Sequence, residues 1–308
     1  MKRRFKTAVV LLIKGFCMGA ADVVPGVSGG TMAFILGIYT RLIDAIRSFD
    51  STWIAALLKV DIRTAAARPH FPFLIPLGLG IIGAVLFFTH IIPIPQLLQS
   101  HPEHIYGLFF GLIVGSIIIL FIDIGPKSAS DGFKLLLGIV IGGVVVSAVP
   151  TQTPDTWWFV MGSGAIAICA MVLPGISGSF ILLLLGKYAY ILDAVGNFEL
   201  TIIVPFAIGA AFGLAAFTRL LSWLLHRFER PMLLVIGGFL IASLWVIWPF
   251  QQRNYIFVRG KQRLVESIPV APPWDSVALE ALLLAACGIA IILVANCYTG
   301  RRTRRRGP

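Results

Sequence analysis

The chain has 308 residues, of which 58% are hydrophobic and 13% charged, with mean hydropathy +0.92 and a formal net charge of +11. Soluble domains run at about 45–50% apolar and about 25% charged, so this composition excludes a soluble enzyme and indicates one polytopic membrane domain. The positive charge does not mark a nucleic-acid binder: the blocks Lys2-Arg3-Arg4-Phe5-Lys6 and Arg301-Arg302-Thr303-Arg304-Arg305-Arg306 flank apolar segments, where basic residues set topology and meet anionic lipid headgroups.

Along the chain, apolar segment 7–22 follows the first basic block. No clear small-residue cleavage site follows it, so it is expected to stay in the mature protein. The stretch Pro25-Gly26-Val27-Ser28-Gly29-Gly30 cuts it off from a second apolar segment, 30–46. Segments 71–93, 105–122 and 133–150 follow, close to the roughly 20 residues of a membrane-spanning helix. A second interrupted pair, 157–172 and 179–196, surrounds Pro174-Gly175-Ile176-Ser177-Gly178, and segments 201–225, 231–250 and 277–298 complete the series. Cys17, Cys169, Cys287 and Cys297 lie in apolar segments without zinc or redox spacing and read as packing residues. His90, His101 and His104 lack metal-ligand spacing. No metal centre and no cofactor is expected.

The chain repeats itself. Shifted by 149 residues, Gly15–Ile46 lies over Gly164–Val195 without a gap, and 12 of 32 positions are identical, among them Pro25/Pro174, Gly26/Gly175, Ser28/Ser177 and Gly29/Gly178. Chance apolar similarity matches leucines; it does not match Pro-Gly-x-Ser-Gly. Weaker parallels continue through Gly80/Gly209 and Gly111/Gly238. The expected fold is therefore an all-α polytopic membrane protein in two halves, 1–150 and 151–308, each a broken or re-entrant helix pair followed by three transmembrane helices. A pair returns the chain to the side it left and three spans cross it over, so the second half enters inverted, an architecture common among secondary transporters. With both termini in the cytoplasm, cytoplasmic segments hold 18 Lys/Arg and outer segments five, as the positive-inside rule asks. The basic outer loop 251–275 runs against that rule.

In hydrocarbon, irregular backbone survives only when buried in protein or lining a wet cavity. Pro25 lacks an N–H, and Gly26, Gly29 and Gly30 permit close approach. Ser28 and Ser177 stand where a helix N-cap belongs, so each following run starts with free N–H groups and a positive dipole end. That arrangement suits an anion, phosphate above all. The alternative is a pair of glycine-rich packing kinks. Asp22 and Thr31 belong to the first copy alone; the second has Met171 and Phe180. Asp22 is a candidate proton- or cation-linked group, or else a helix-end carboxylate paired with a base such as Lys14. Lys14, about two turns earlier, faces the same cavity or snorkels to the interface. Arg41 and Lys187 follow the two breaks at similar distances, and snorkelling at opposite interfaces is expected of both. Arg219 and Glu280 lie near segment ends.

The pattern Asp22-Val-Val-Pro-Gly-Val-Ser-Gly-Gly-Thr31, with its degenerate copy Leu173-Pro-Gly-Ile-Ser-Gly-Ser179, resembles the bacterial and archaeal polyprenyl-phosphate transporters, the PopT family, over nearly the whole chain. The resemblance implies a flippase, not an enzyme, in the cytoplasmic membrane. It would return undecaprenyl phosphate from the outer to the inner leaflet for envelope polymer synthesis such as peptidoglycan. The phosphate would lie between Pro25, Gly26, Ser28, Gly29, Gly30 and Thr31 on one side and Pro174, Gly175, Ser177, Gly178 and Ser179 on the other. Polyprenyl phosphate and membrane lipids are the expected partners, with no nucleic acid; the coupling ion and a homo-oligomeric state stay open. Membrane undecaprenyl pyrophosphate phosphatases share a carboxylate before a Pro-x-Ser-Ser-like turn. Residues 30–34, Gly-Thr-Met-Ala-Phe, offer no histidine, and the second copy has no paired carboxylate, so the site is poor in catalytic groups. A small-anion carrier or channel is the third reading.

Overall fold

The computed structural model describes residues 2–24, 26–91, 97, 100–148, 151–258, 261–273 and 275–304. Their elements, in chain order, are α1 (Lys2–Asp22), α2 (Gly29–Ile35), α3 (Tyr39–Arg47), α4 (Ser51–Leu58), α5 (Ile62–Ala67), α6 (Phe71–His90), α7 (Pro102–Ile124), α8 (Ala129–Val146), α9 (Trp157–Val172), α10 (Gly178–Leu184), α11 (Tyr188–Gly196), α12 (Leu200–Arg227), α13 (Glu229–Val246), strands β1 (Gln251–Val258) and β2 (Lys261–Pro269), and α14 (Ser276–Arg304). Six helices, α6, α7, α8, α12, α13 and α14, are long and apolar enough to cross a membrane. They coincide with the six uninterrupted apolar segments of the sequence, and the protein is a multi-pass membrane protein.

The segments 30–46 and 179–196, each expected as one helix, are two helices apiece. Gly37 and Gly186 both adopt φ +65°, the left-handed conformation that glycine reaches at least cost. Around each glycine the helix closes on itself: Ile38 N–H donates to Ala33 and Gly37 N–H to Phe34, and likewise Lys187 N–H to Leu182 and Gly186 N–H to Leu183. These are the paired bonds that end a helix at a left-handed glycine. At the second, α10 and α11 bend by 109°. Each expected pair is thus a helix followed by two short ones.

The basic segment after α13, which its sequence predicts to be a loop, forms an antiparallel hairpin from Gln251↔Pro269 to Val258↔Lys261, with a register shift between Asn254 and Tyr255.

Two compact units form, each drawing elements from both halves of the chain: residues 1–95 with 149–229, and residues 96–148 with 230–308. In the first, α1 packs on α6 and α9 on α12. Both contacts are made through glycine. Gly15 lies against the Leu77 carbonyl and Gly80 against that of Leu12; at the repeated positions Gly164 lies against Phe206 and Gly209 against Met161. Small residues bring membrane helices close enough for dense van der Waals contact where no water drives association. The opposite face of α6 exposes Ile75, Leu79, Ile82 and Leu86, spaced as a single helical stripe for lipid. In the second unit α7 packs on α14, where Gly107 and Gly111 meet the Ala281 and Ala285 carbonyls, and Gly138 and Gly238 bring α8 onto α13.

Candidate functional site

The two breaks meet inside the first unit. Each begins with the same turn: Gly26 has φ +86° and Gly175 φ +87°, with Val27 N–H donating to Val24 and Ile176 N–H to Leu173. This is the Pro-Gly turn in which the glycine takes the positive φ. Pro25 itself lies outside the described residues; Pro174 is buried.

Helix α9 ends at Val172 and leaves its last carbonyls without intrahelical partners. Side chains of the first copy cap them. Ser28 Oγ donates to the Met171 carbonyl at 3.1 Å, and the Tyr39 hydroxyl donates to that of Val172 at 3.1 Å. Gly30 lets this approach happen: a Cβ there would lie 2.8 Å from the Met171 oxygen and 2.9 Å from that of Val172. In return, the Gly175 N–H donates to Thr31 Oγ1 at 2.9 Å.

The two helix N-termini differ. At α2, Ser28 is the N-cap and accepts from the Gly30 N–H at 3.1 Å, while Asp22 Oδ1 accepts from the Gly29 N–H at 2.7 Å. The first two donors of α2 are therefore engaged by the chain's own carboxylate and hydroxyl. At α10, Met171 stands in place of Asp22, and Ser177 makes no cap; its Oγ instead lies 2.8 Å from Ser179 Oγ. Among the described residues the Gly178 and Ser179 amides have no acceptor. Of the two expected anion sites, one is self-capped and the other is open.

The outlying basic residues are not equivalent. Lys14 Nζ donates to the Leu36 carbonyl at 2.6 Å, at the end of α2, so its partner is a backbone oxygen and not Asp22. Arg41 places its guanidinium 4.4 Å from the Phe73 ring centroid, a cation–π contact. Lys187 does not snorkel: it is 1% exposed. The segment 151–156 folds over the end of α10, where Thr151 N–H donates to Leu184 at 2.8 Å and Thr153 Oγ1 to Leu185 at 2.5 Å. That fold carries Asp155 to the Lys187 ammonium, which also donates to the Thr153 carbonyl at 2.6 Å. A buried cation with two oxygen partners has no reason to reach for the interface. Leu36 and Leu185 are matched positions of the repeat, so the same carbonyl is capped by Lys14 in one copy and by Thr153 in the other.

Tyr39 is the site residue that sequence reasoning passed over. Its signal was a tyrosine two residues after a glycine at the same place in both copies, Tyr39 and Tyr188. Arg219 bonds its own helix at Ala215, and Glu280 pairs with His104. No group of three or more His, Cys, Asp or Glu among the described residues could hold a metal.

A family model described as undecaprenyl phosphate translocase-like matches residues 18–264, spanning both breaks. The chain belongs to this family. It is 41% identical over 240 residues to a polyprenyl-phosphate transporter of Vibrio cholerae, covering 78% of this chain and 77% of the relative. It is 30% identical over 268 residues to a polyprenyl-phosphate transporter of Staphylococcus aureus, covering 80% of this chain and 88% of that one. No solved structure is significantly similar.

Proposed function

We propose that this family member is a transporter of polyprenyl phosphate and not an enzyme, and that it returns the carrier lipid from the outer to the inner leaflet of the cytoplasmic membrane for envelope polymer synthesis. Both relatives are named as transporters. The observation that carries the reading is the meeting of the two breaks. Ser177 and Ser179 hydroxyls and the free Gly178 and Ser179 amides stand at one helix start, beside a self-capped start held by Asp22 and Ser28, with Thr31 accepting from the Gly175 amide between them. Hydroxyls and amides of this kind hold a phosphate monoester, and the isoprenoid tail can remain in lipid.

The proposed frame is an inverted repeat with both termini cytoplasmic. Helix α9 has 16 residues, about 24 Å at 1.5 Å per residue. That is short of a roughly 30 Å hydrocarbon core, which favours a re-entrant first arm in that half. The headgroup sits near the midplane between the breaks, and rocking of the repeats alternates its exposure. Asp22 is the coupling group: its carboxylate already occupies the α2 N-terminus, so phosphate and carboxylate compete for one set of N–H donors. A proton on Asp22 would weaken its hold on Gly29 and open the first site.

The test is transport of polyprenyl phosphate in reconstituted vesicles. Each lost hydrogen bond to a charged headgroup is worth about 1.5–3 kcal/mol, so the Ser177→Ala/Ser179→Ala double variant is expected to slow transport at least tenfold. Asp22→Asn keeps an acceptor for Gly29 and is expected to fold normally while losing the pH dependence of the rate. Wild-type vesicles that move chloride or inorganic phosphate but no lipid phosphate would overturn the substrate. Release of phosphate from the pyrophosphate lipid, lost in the Asp22 variant, would make it an enzyme.

A further inference from the structure

Away from the breaks, the first unit holds an open cleft of about 460 Å³ lined by Asp44, Arg47, Asp50, Arg68, His70 and His226, together with Ser48. These residues come from the end of α3, the two ends of the α4–α5 hairpin and the last turn of α12.

Both carboxylates are already engaged. Asp50 is gripped by Arg68 through two guanidinium nitrogens, Nε at 2.9 Å and Nη2, and accepts from the Trp53 amide at 3.0 Å. Asp44 accepts from Ser222 Oγ at 2.8 Å and lies 3.6 Å from His226 Nε2. Arg47 is different. Its Nη1 donates to the neutral Ser222 Oγ at 3.0 Å, and among the described residues no carboxylate pairs with it. An unmatched guanidinium, with further donors in a planar fork, is the group best shaped for phosphate. The exposed His70 ring stands on the same wall.

Beyond the cleft, the α4–α5 hairpin that supplies Asp50 and Arg68 is apolar. On the α4–α5 hairpin, Ile54, Leu57, Leu58, Val60 and Ile62 are all exposed, Leu58 to 80%. Val60 is held at φ +55°, a conformation a β-branched residue rarely adopts. Trp53 Nε1 donates to the Ala65 carbonyl at 3.1 Å and ties α4 to α5. Phe49 stacks edge-on against Trp53 and Phe71. Bare aliphatic side chains beside an aromatic cluster and cations are the pattern of a segment lying at a bilayer surface.

We propose that this cleft is a second phosphate site, which takes the phosphate monoester head of a lipid at the membrane surface while the lipid's chain lies along the exposed face of α4 and α5. The proposal rests on the transport reading, and it supplies a place where the substrate lipid docks or departs at one leaflet. The polar cleft and the apolar hairpin leading away from it together select a phosphate carried on a hydrocarbon chain over free phosphate or an uncharged lipid.

The test uses the full chain in nanodiscs with a diazirine-bearing farnesyl phosphate, mapped by mass spectrometry, and with inorganic phosphate and farnesol as competitors. Labelling is expected within residues 44–70, with farnesyl phosphate competing far better than either competitor. Arg47→Gln should lower affinity at the cleft roughly tenfold, the loss of one charged hydrogen bond, and Arg47→Lys should recover part of it. Lys127→Gln, an exposed charge change in the other unit, should leave it unchanged. The Ser177→Ala/Ser179→Ala variant should slow transport yet keep the label at 44–70. Labelling confined to residues 171–180 and unaffected by either Arg47 variant would overturn the second site while leaving the transport reading intact. Equal competition by inorganic phosphate would overturn the lipid assignment, and equal competition by farnesol the phosphate assignment. A protein that neither binds nor moves any lipid phosphate would overturn the transport reading itself.

Discussion

The Gly175 amide donates to Thr31 Oγ1 at 2.9 Å, so one hydrogen bond joins the turn of the second break to the helix of the first. The repeat offers no reciprocal bond, because Phe180 occupies the place of Thr31. The first copy contributes side chains to the junction, and the second contributes backbone. Of the residues that differ between the copies, Asp22 closes the α2 start and has no counterpart at α10, while Thr31 ties the second turn to the first helix.

Thr31→Val keeps the shape of the side chain and removes the acceptor. A donor left without a partner in the interior costs about 1–3 kcal/mol, and the variant is expected to lose that much in denaturation from detergent. Thr31→Ser retains the oxygen and should lose less. A valine variant as stable as the parent would show that this bond contributes nothing.

Asp155 and Lys187 form one ion pair, but the two truncations are not equal. Lys187 is 1% exposed and Asp155 is 63% exposed. Removing Lys187 frees an aspartate that water can solvate and leaves the Thr153 carbonyl short of a donor, for about 1–3 kcal/mol. Removing Asp155 leaves a buried cation with a carbonyl and the face of the Tyr190 ring but no counter-charge, for about 3 kcal/mol or more. Asp155→Ala is expected to destabilise more than Lys187→Met, measured by thermal unfolding in the same detergent; the reverse order would mean Lys187 is solvated in the protein.

Gly80 and Gly83 lie one turn apart on α6 with opposite surroundings. A Cβ at Gly80 would fall on the Leu12 carbonyl, whereas one at Gly83 meets nothing within 4 Å. Gly80→Ala is expected to force α1 from α6 and cost about 1–3 kcal/mol. Gly83→Ala should be neutral or stabilising by up to about 1 kcal/mol, the helix propensity difference. Unfolding midpoints of the two variants make the comparison, and equal effects would exclude close helix contact at Gly80.

At the cleft, the hydrogen bonds from Arg68, and then that from the Trp53 amide, hold the Asp50 carboxyl well below the usual carboxylate range. A carboxyl lowered by folding stabilises the folded state at pH values above its unfolded pKa, near 3.9. That contribution disappears as the pH falls through the lower folded value. The α4 amides should therefore keep constant protection, corrected for intrinsic exchange, from pH 7 to about 4 and lose it on further acidification. Asp50→Asn should abolish the acid-linked change, as read by hydrogen exchange over residues 48–60.

Much of this molecule is local in the chain and hence legible in it. Six apolar runs become six long helices because hydrocarbon leaves a backbone few other options. Ser28 caps α2 because its oxygen needs only the amide two residues on. The second interruptions, at Gly37 and Gly186, had a local cause as well, but unbroken apolar sequence on both sides hid it. The strands 251–258 and 261–269 were hidden differently, by basic residues that read as a solvated loop.

The sequence by itself determined the six long apolar helices, the two Pro-Gly-x-Ser-Gly breaks and their relation by 149 residues, because period, proline and glycine act over a few residues at a time. Only the tertiary structure decided what each break touches. Ser28 reaches Met171 across 143 positions and Asp44 reaches Ser222 across 178, and no local pattern encodes such a distance. The same holds for Lys187, buried rather than exposed because a strap from residues 151–156 brings it a carboxylate. A charged side chain settles where its partner is, and that partner's position belongs to the packed chain.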